Sequence, residues 1–495
     1  MSRGPLDRLR VAVSGGGPAV RHAARMLSSL GATVLRGDAP MVDLDGVIDG
    51  DGTLMVPGIP AVQATDASAE ADWAASGAMA LTGRADGPPL PAPGFPASAA
   101  RGALLATELL ARIAGRTVSL PGAQVLAARA VLAGLRRGAP WSAGRAFGVL
   151  RAADGWLGVN LARASDVELL PAWLETDTVP GEPWSVLAER VACRAAGPLA
   201  ERARLLGLPA TQYPDGSDEQ LSARGQTGDV WPFVLNGRVH RAAGPGRARP
   251  VLPRRRWELP PTLVVDLSSL WAGPLCGHLL TMLGARVVKV ESVHRPDGAR
   301  FGSAAFYDLL HSGQESVALD FRTAEGRAAL AGLVAAADVV IESSRPRALR
   351  QLGVVADDVL SATRAKCWVS ITAYGRTGPW SNAVGFGDDT AVAGGLLAFD
   401  PATGVPAPCG DAIADPLTGV HAALVALACR LGGGTWLADL ALREHVAATV
   451  HTGLAELGER DERVVAVPAA PRSPERPAAA LGADTARVLA ELGLP

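Results

Sequence analysis

The sequence predicts an α/β chain of doubly wound, mostly parallel sheets in two diverged copies, with a smaller α+β domain added. Three observations predict it. Short continuous apolar runs alternate with helical stretches through the second half, as in sheets covered by helices on both faces. Several segments of the first half are echoed in the second, the mark of a tandem duplication. Region 150–212 has no counterpart in the second half and marks the extra domain.

The elements follow in order. TLVVDLSS (262–269) reads as a strand, GPLCGHLLTMLG (273–284) as a helix and ARVVKVES (285–292) as a strand. VALD (317–320) is a short strand, and TAEGRAALAGLVAAA (323–337) a helix opened by Thr323. DVVIESS (338–344) and CWVSITAY (367–374) are strands, and DPLTGVHAALVALACRL (415–431) is a helix. This alternation is that of a Rossmann-like sheet.

The first half opens on VAVSGGGPAVRHAARMLSSLGATVLRGD (11–38). Taken alone, it suggests a dinucleotide site: Gly15 and Gly17 fit the first two glycines of a G-x-G-x-x-G turn, and Asp38 fits the ribose-binding acid. Val20 occupies the third glycine position. The same stretch matches VVDLSSLWAGPLCGHLLTMLGARVVKVE (264–291) in layout, ending its helix in LSSLGA where the second copy has LTMLGA. As one of two copies, the triple glycine is a turn the fold requires, and Asp38 a strand end like Glu291. ALLATELLARIAGRTVSL is likewise answered by AALVALACRLGGGTWLAD, which sets Ala97 opposite Asp415. The expected organisation is a degenerate copy over 1–149, a small domain over 150–242, a Pro/Gly/Arg-rich linker over 243–261, a second copy over 262–466 and a tail over 467–495.

Composition excludes several functions. A formal net charge of -2 makes no electrostatic case for nucleic acid or an anionic membrane. No 18-residue uncharged apolar stretch predicts a membrane span, and MSRGPLDRLRVAV lacks the apolar core of a signal peptide. A cytoplasmic protein is expected. The five cysteines lie far apart without a C-x-x-C pair, and the histidines show no H-E-x-x-H cluster, so reduced thiols and no metal site are expected. His421 lies on an apolar helical stretch and reads as a packed residue.

Five blocks of the second half, in order, resemble class III CoA-transferases, the family of formyl-CoA and carnitine CoA-transferases. They are VVDLSSLWAGPLCGHLLTMLGARVVKVES, LDFRTAEGRAALAGLVAAADVVIESSRPRALRQLG, ITAYGRTGPW, DAIADPLTGVHAALVALACRL and RPAAALGADTARVLAELG. In the first half, GWLGVNLARASDVELLPAWLE and LAERARLLGLPA resemble that family's small domain. The resemblance implies transfer of CoA between an acyl-CoA and a small carboxylic acid. It implies no permanently bound cofactor, with coenzyme A entering as substrate. It makes Asp415 the catalytic carboxylate, with Asp411 the competitor. Asp415 precedes Pro416 and is expected to cap the following helix, whose N-terminus favours the anion.

For CoA, the resemblance implies the loop Leu270, Trp271, Ala272, Gly273 and Pro274, whose backbone N–H groups can support an oxyanion. It also brings in Tyr374 of ITAYGRTGPW. The chain departs from the family where SGQES (312–316) replaces a basic N-K-R-S and Ser343-Ser344 an Asn-Phe, and Trp271 stands where some members carry glutamine. Arg345, Arg347 and Arg350 are the compensating candidates for the CoA phosphates. Two alternatives stay open: a 2-methylacyl-CoA racemase, lacking the usual histidine at Phe386 but with Asp388 and Asp389 beside it, and a CoA-binding homologue without turnover. Family members are interlocked homodimers, so the resemblance implies a pseudo-dimer within this one chain, with further oligomerisation open.

Overall fold

The computed structural model describes residues 4–14, 16–36, 44–49, 53–57, 59–62, 67–177, 182–214, 231–238, 259–450 and 464–495. Gly15, Asp38 and residues 243–258 of the expected linker lie outside them. Three sheets and one two-stranded ribbon carry the fold.

The first sheet begins as a strand-helix-strand unit: β1 (Arg10–Val13), α1 (Pro18–Ser29) and β2 (Thr33–Arg36). Pro18 opens α1, where its missing N–H costs nothing. β3 (Gly46–Ile48), β4 (Leu54–Val56) and β5 (Ile59–Val62) complete the order β2-β1-β3-β4-β5. Only β2, β1 and β3 run parallel; β4 and β5 return antiparallel. Helices α2 (Pro96–Ile113) and α3 (Ala128–Ala133) follow.

The small sheet is antiparallel, in the order β6 (Phe147–Arg151), β7 (Trp156–Asn160), β8 (Ala210–Gln212). Four short helices between Ala164 and Leu206 close over it, burying Trp173, Leu187 and Leu199. The next strand, β9 (Phe233–Arg238), departs from the expected small domain of 150–242. It pairs antiparallel with the far edge of the large sheet instead, where an open strand edge offers backbone partners.

The large sheet contains β10 (Leu263–Asp266), β11 (Arg286–Ser292), β12 (Glu315–Leu319), β13 (Val339–Glu342), β14 (Lys366–Thr372) and, after the ribbon β15 (Leu397–Phe399) with β16 (Pro406–Pro408), β17 (Thr435–Ala441). Its order is β12-β11-β10-β13-β14-β17-β9, parallel except for β9. The order reverses at β10, as in a doubly wound sheet. The continuous apolar runs are explained by burial: every residue of β13 and β14 is buried. The helices that position the site are α4 (Ala272–Met282), α5 (Ala324–Ala336), α6 (Pro346–Gln351), α7 (Gly387–Ala393) and α8 (Ala414–Gly432). Thr323 caps α5 as expected, its hydroxyl accepting from the Gly326 N–H at 3.0 Å.

One apolar cluster joins the halves: Val11, Leu27 and Leu109 belong to the same core as Leu275, Leu417 and Val446. α1 packs on α2, α4 on α8, and α2 on α8. The first two of these pairs approach through glycine. A Cβ on Gly102 would collide with the Ala19 carbonyl, and one on Gly419 would come within 2.7 Å of the Ala272 carbonyl.

The tail touches both halves. Ala469 sits against Gly77, Arg472 reaches His278 at 3.0 Å, and Asp484 and Thr485 accept from the N–H groups of Ser316 and Ala318 at 2.9 and 3.0 Å. Its helix α9 (Thr485–Glu491) lies on β12. Among the described residues, no helix is long and apolar enough to cross a membrane, and no group of three or more His, Cys, Asp or Glu side chains could hold a metal ion.

Candidate active site

The strand order reverses at β10, and open α/β sheets bind ligands in the crevice at such a point. Here the loops leaving β10 and β13 are tied together by the Ser269 N–H, which donates to the Ser343 hydroxyl at 3.0 Å. Leu270 has φ +72 and is 41% exposed. A branched residue in that region costs on the order of 1–3 kcal/mol and persists where its surroundings enforce it. Its N–H donates to Asp297 at 3.0 Å. Of the five loop residues expected to offer amides to an oxyanion, Leu270 has its N–H committed to Asp297.

Of the five loop residues, Leu270 alone is at the surface. Trp271 turns inward and meets Phe306 edge-on at 5.1 Å, and Ala272, Gly273 and Pro274 form the buried first turn of α4. Arg345 and Arg347 stand at the start of α6, beside this crevice. Burial, then the charges of Arg347, Arg163 and Arg295, push the Arg345 pKa down, so four guanidinium groups share one region. Arg163 comes from the small domain, grips the buried Asp166 at 2.5 Å and lies 5.6 Å from the Phe386 ring centre. Arg350 is placed elsewhere, lining a shallow pocket with Glu342, Trp368 and Arg376. Tyr374 is buried edge-on against Trp380 at 5.5 Å. Burial and then Asp389 push its hydroxyl pKa up, which places it on the carboxylate side of the site.

Those carboxylates gather around the start of α8. Every residue of α8 from Ala414 to Cys429 is buried except Asp415, which keeps partial access to solvent. Asp415 is not the helix cap. The chain is already helical at Ile413, which caps without a side-chain bond, and Asp415 is the second residue of the helix. Its carboxylate is thus not spent on capping and accepts from the Gly387 N–H instead. A Cβ on Gly387 would meet the Ala412 carbonyl and stand 2.7 Å from Asp415 Oδ2; only glycine lets α7 come this close.

Asp411, the competitor, is wholly buried and held by Arg129 through two hydrogen bonds of 2.5 and 2.8 Å. Asp388 accepts from the Ala412 N–H at 2.8 Å. Asp389 accepts from the N–H of Phe386 at 2.8 Å and from Asn160 of β7 at 3.3 Å. Burial, then the nearby carboxylates, raises Asp415 to about 7 against the pull of Arg129. Burial, then Asp411, raises Asp388 to about 6. Burial chiefly raises Asp389 to about 8. A partly accessible carboxyl that titrates near neutrality is equipped to act as a nucleophile or a base.

The first half has no carboxylate opposite Asp415, since Ala97 stands there in the alignment of the two segments, yet it supplies a different residue. Arg129 of α3 belongs to the first half and reaches the site. It is one arginine in AQVLAARAVLAG, with no motif to single it out. Gly387 and Asp388 lie in the GFGDD stretch already weighed for a racemase.

The fold and site together define a doubly wound α/β chain with a carboxylate centre beside its topological switch point. Residues 259–462 match the model of CoA-transferase family III. It is similar to the succinyl-CoA–D-citramalate CoA-transferase of Chloroflexus aurantiacus, 31% identical over 39% of this chain and 51% of that one. It is also similar to the succinate–glutarate CoA-transferase of Agrobacterium fabrum, 31% identical over 40% and 54%. A CaiB/BaiF family protein from Brucella suis is 31% identical over 38% of this chain and 54% of its own, with a TM-score of 0.36. The chain spans about half the length of the curated relatives it matches.

Proposed function

We propose that the chain transfers CoA between an acyl-CoA thioester and a carboxylic acid, with Asp415 as covalent carrier. The observation that carries this is Asp415's position as the one accessible residue in the buried run of α8. Its carboxylate attacks the thioester carbonyl, forming a mixed anhydride and releasing CoA thiolate. The thiolate attacks the aspartyl carbon, giving an aspartyl-CoA thioester and the free donor acid. The acceptor carboxylate then attacks that thioester, and the thiolate, released again, takes the acceptor's acyl group and frees Asp415. Each difficult exchange is divided into easier steps. The Gly387 N–H, already bonded to Asp415, supports the charge that develops on its oxygen.

CoA lies in the crevice beside Leu270–Pro274, with its phosphates near Arg345 and Arg347. Arg350 and Tyr374 are further members of this proposed binding set, more remote by their placement. The chain reads as two diverged Rossmann-like copies that interlock as a dimer within one polypeptide, supported by the shared core and by the paired approaches at Gly102 and Gly419.

The test is mass spectrometry of the full chain after incubation with acyl-CoA. A CoA or acyl adduct on the peptide bearing Asp415 is expected, and its absence under conditions of turnover overturns the mechanism. Asp388, also raised toward neutrality beside Asp415, favours one second reading, proton exchange at Cα of a 2-methylacyl-CoA. Solvent deuterium entering that position without CoA exchange would establish it.

A further inference from the structure

We propose that Arg129 is the positioning residue of the Asp415 site, supplied by the first half to hold the loop and balance the charges on which the second half's carboxylate depends. The inference rests on the proposed role of Asp415 and deepens it. The loop entering α8 is bent at two successive turns of unusual geometry: Gly410 has φ +71, and Ala412 has φ +44. A non-glycine residue at positive φ persists only when its surroundings fix it.

Three contacts fix it here. Arg129 grips Asp411 between those two residues. The Gly410 N–H donates to the Thr82 hydroxyl at 2.9 Å, a second contact from the first half, and the Ala412 N–H donates to Asp388. Arg129 is itself aimed: its guanidinium lies 5.4 Å from the Trp271 ring centre, so the aromatic side chain of the crevice loop steadies the cation.

The charge balance points the same way. Asp415 is faced by Arg129 from α3, by Asp388 from α7, by Asp411 from its own loop, and by the Gly387 N–H. Arg129 is the one cation in that set. Without it, Asp411 becomes a buried charge with no partner, and like charges drive carboxyls toward protonation. A protonated Asp415 is no nucleophile.

The experiment follows Asp415 directly rather than through turnover. Carbodiimide labelling of protonated carboxyls, read by mass spectrometry on the Asp415 peptide across pH, is applied to the full chain and three variants, with CoA exchange measured alongside. Arg129→Gln is expected to raise the Asp415 midpoint by about one pH unit or more, and Arg129→Lys to hold it nearer the native value. Asp411→Asn removes a repelling charge and is expected to lower the midpoint. This last variant keeps the test decisive if Arg129→Gln does not fold. Midpoints unchanged in the folded variants overturn the inference, even where CoA exchange persists. Shifted midpoints in a chain that exchanges no CoA support it and overturn the functional reading instead.

Discussion

His22 and His421, 399 positions apart in the chain, meet Nε2 to Nε2 at 2.7 Å in the core between the two halves. The roles of the two rings are set by a carbonyl. His421 Nδ1 lies 2.7 Å from the Leu417 carbonyl, which can only accept, so Nδ1 carries the proton and Nε2 accepts. His22 therefore donates. A hydrogen bond, and not hydrophobic contact alone, links α1 of the first half to α8 of the second.

His22→Leu should cost about 1–3 kcal/mol, because it leaves the His421 acceptor buried without a donor. Urea unfolding measures this. The double variant with His421→Leu should recover part of the loss, since removing both partners leaves no orphan.

The same histidines make stability sensitive to acid. Burial lowers His22, His421 and His445 below the usual imidazole value, His421 to about 4. The folded state thus excludes protons that the unfolded chain binds. Their contribution is complete above about 6.5 and is lost as pH falls toward 4. Thermal unfolding midpoints should fall through this window, and less steeply in the double histidine variant. Equal slopes would contradict the linkage.

Asp415→Ala should reduce CoA exchange by on the order of 10³-fold or more, as for removal of a nucleophile. Rates of CoA exchange across a panel of acyl-CoAs and acids provide the measurement. Full activity would transfer the role to another group.

The rate of CoA exchange should also depend on pH in a defined direction. In the proposed mechanism Asp415 attacks as the carboxylate, and burial raises it to about 7, so kcat/KM should fall about tenfold per unit as pH drops below that value. A profile flat between pH 5 and 8, to take a range of about that width, is inconsistent with an Asp415 held this high.

Gly387→Ala places a methyl carbon against the Ala412 carbonyl and Asp415 Oδ2. Displacing a reacting group by about 1 Å can cost about 10²-fold in rate. The expected result is a loss of that order with circular dichroism unchanged, since Gly387 is the first residue of α7 and a methyl there leaves the helix's own hydrogen bonds intact.

Much of the second half was legible in its sequence. The helix expected over 323–337 is α5 with Thr323 as its cap, and the apolar runs are the strands of the parallel sheet. Local periodicity and capping carry such features within a few residues. Legibility ended where a side chain's role depended on what approached it. The Asp-Pro step suggested a cap, yet the preceding turn starts the helix earlier and frees Asp415. The loop amides suggested an oxyanion site, yet Asp297 takes that of Leu270. Strand β9 went to the large sheet because an open edge, invisible in one segment, offered it partners.

By itself, the sequence determined the alternation of strands and helices, the echo between the two halves and the carboxylate at position 415. These rest on patterns that repeat within a turn of helix, a pair of strand residues or an echoed stretch of sequence. Only the tertiary structure decided that Asp411 is occupied and Asp415 accessible, and that Arg129, 282 residues away from Asp411, makes the difference. Ion pairs and close backbone approaches are products of packing between distant elements, and no local pattern encodes which arginine will arrive.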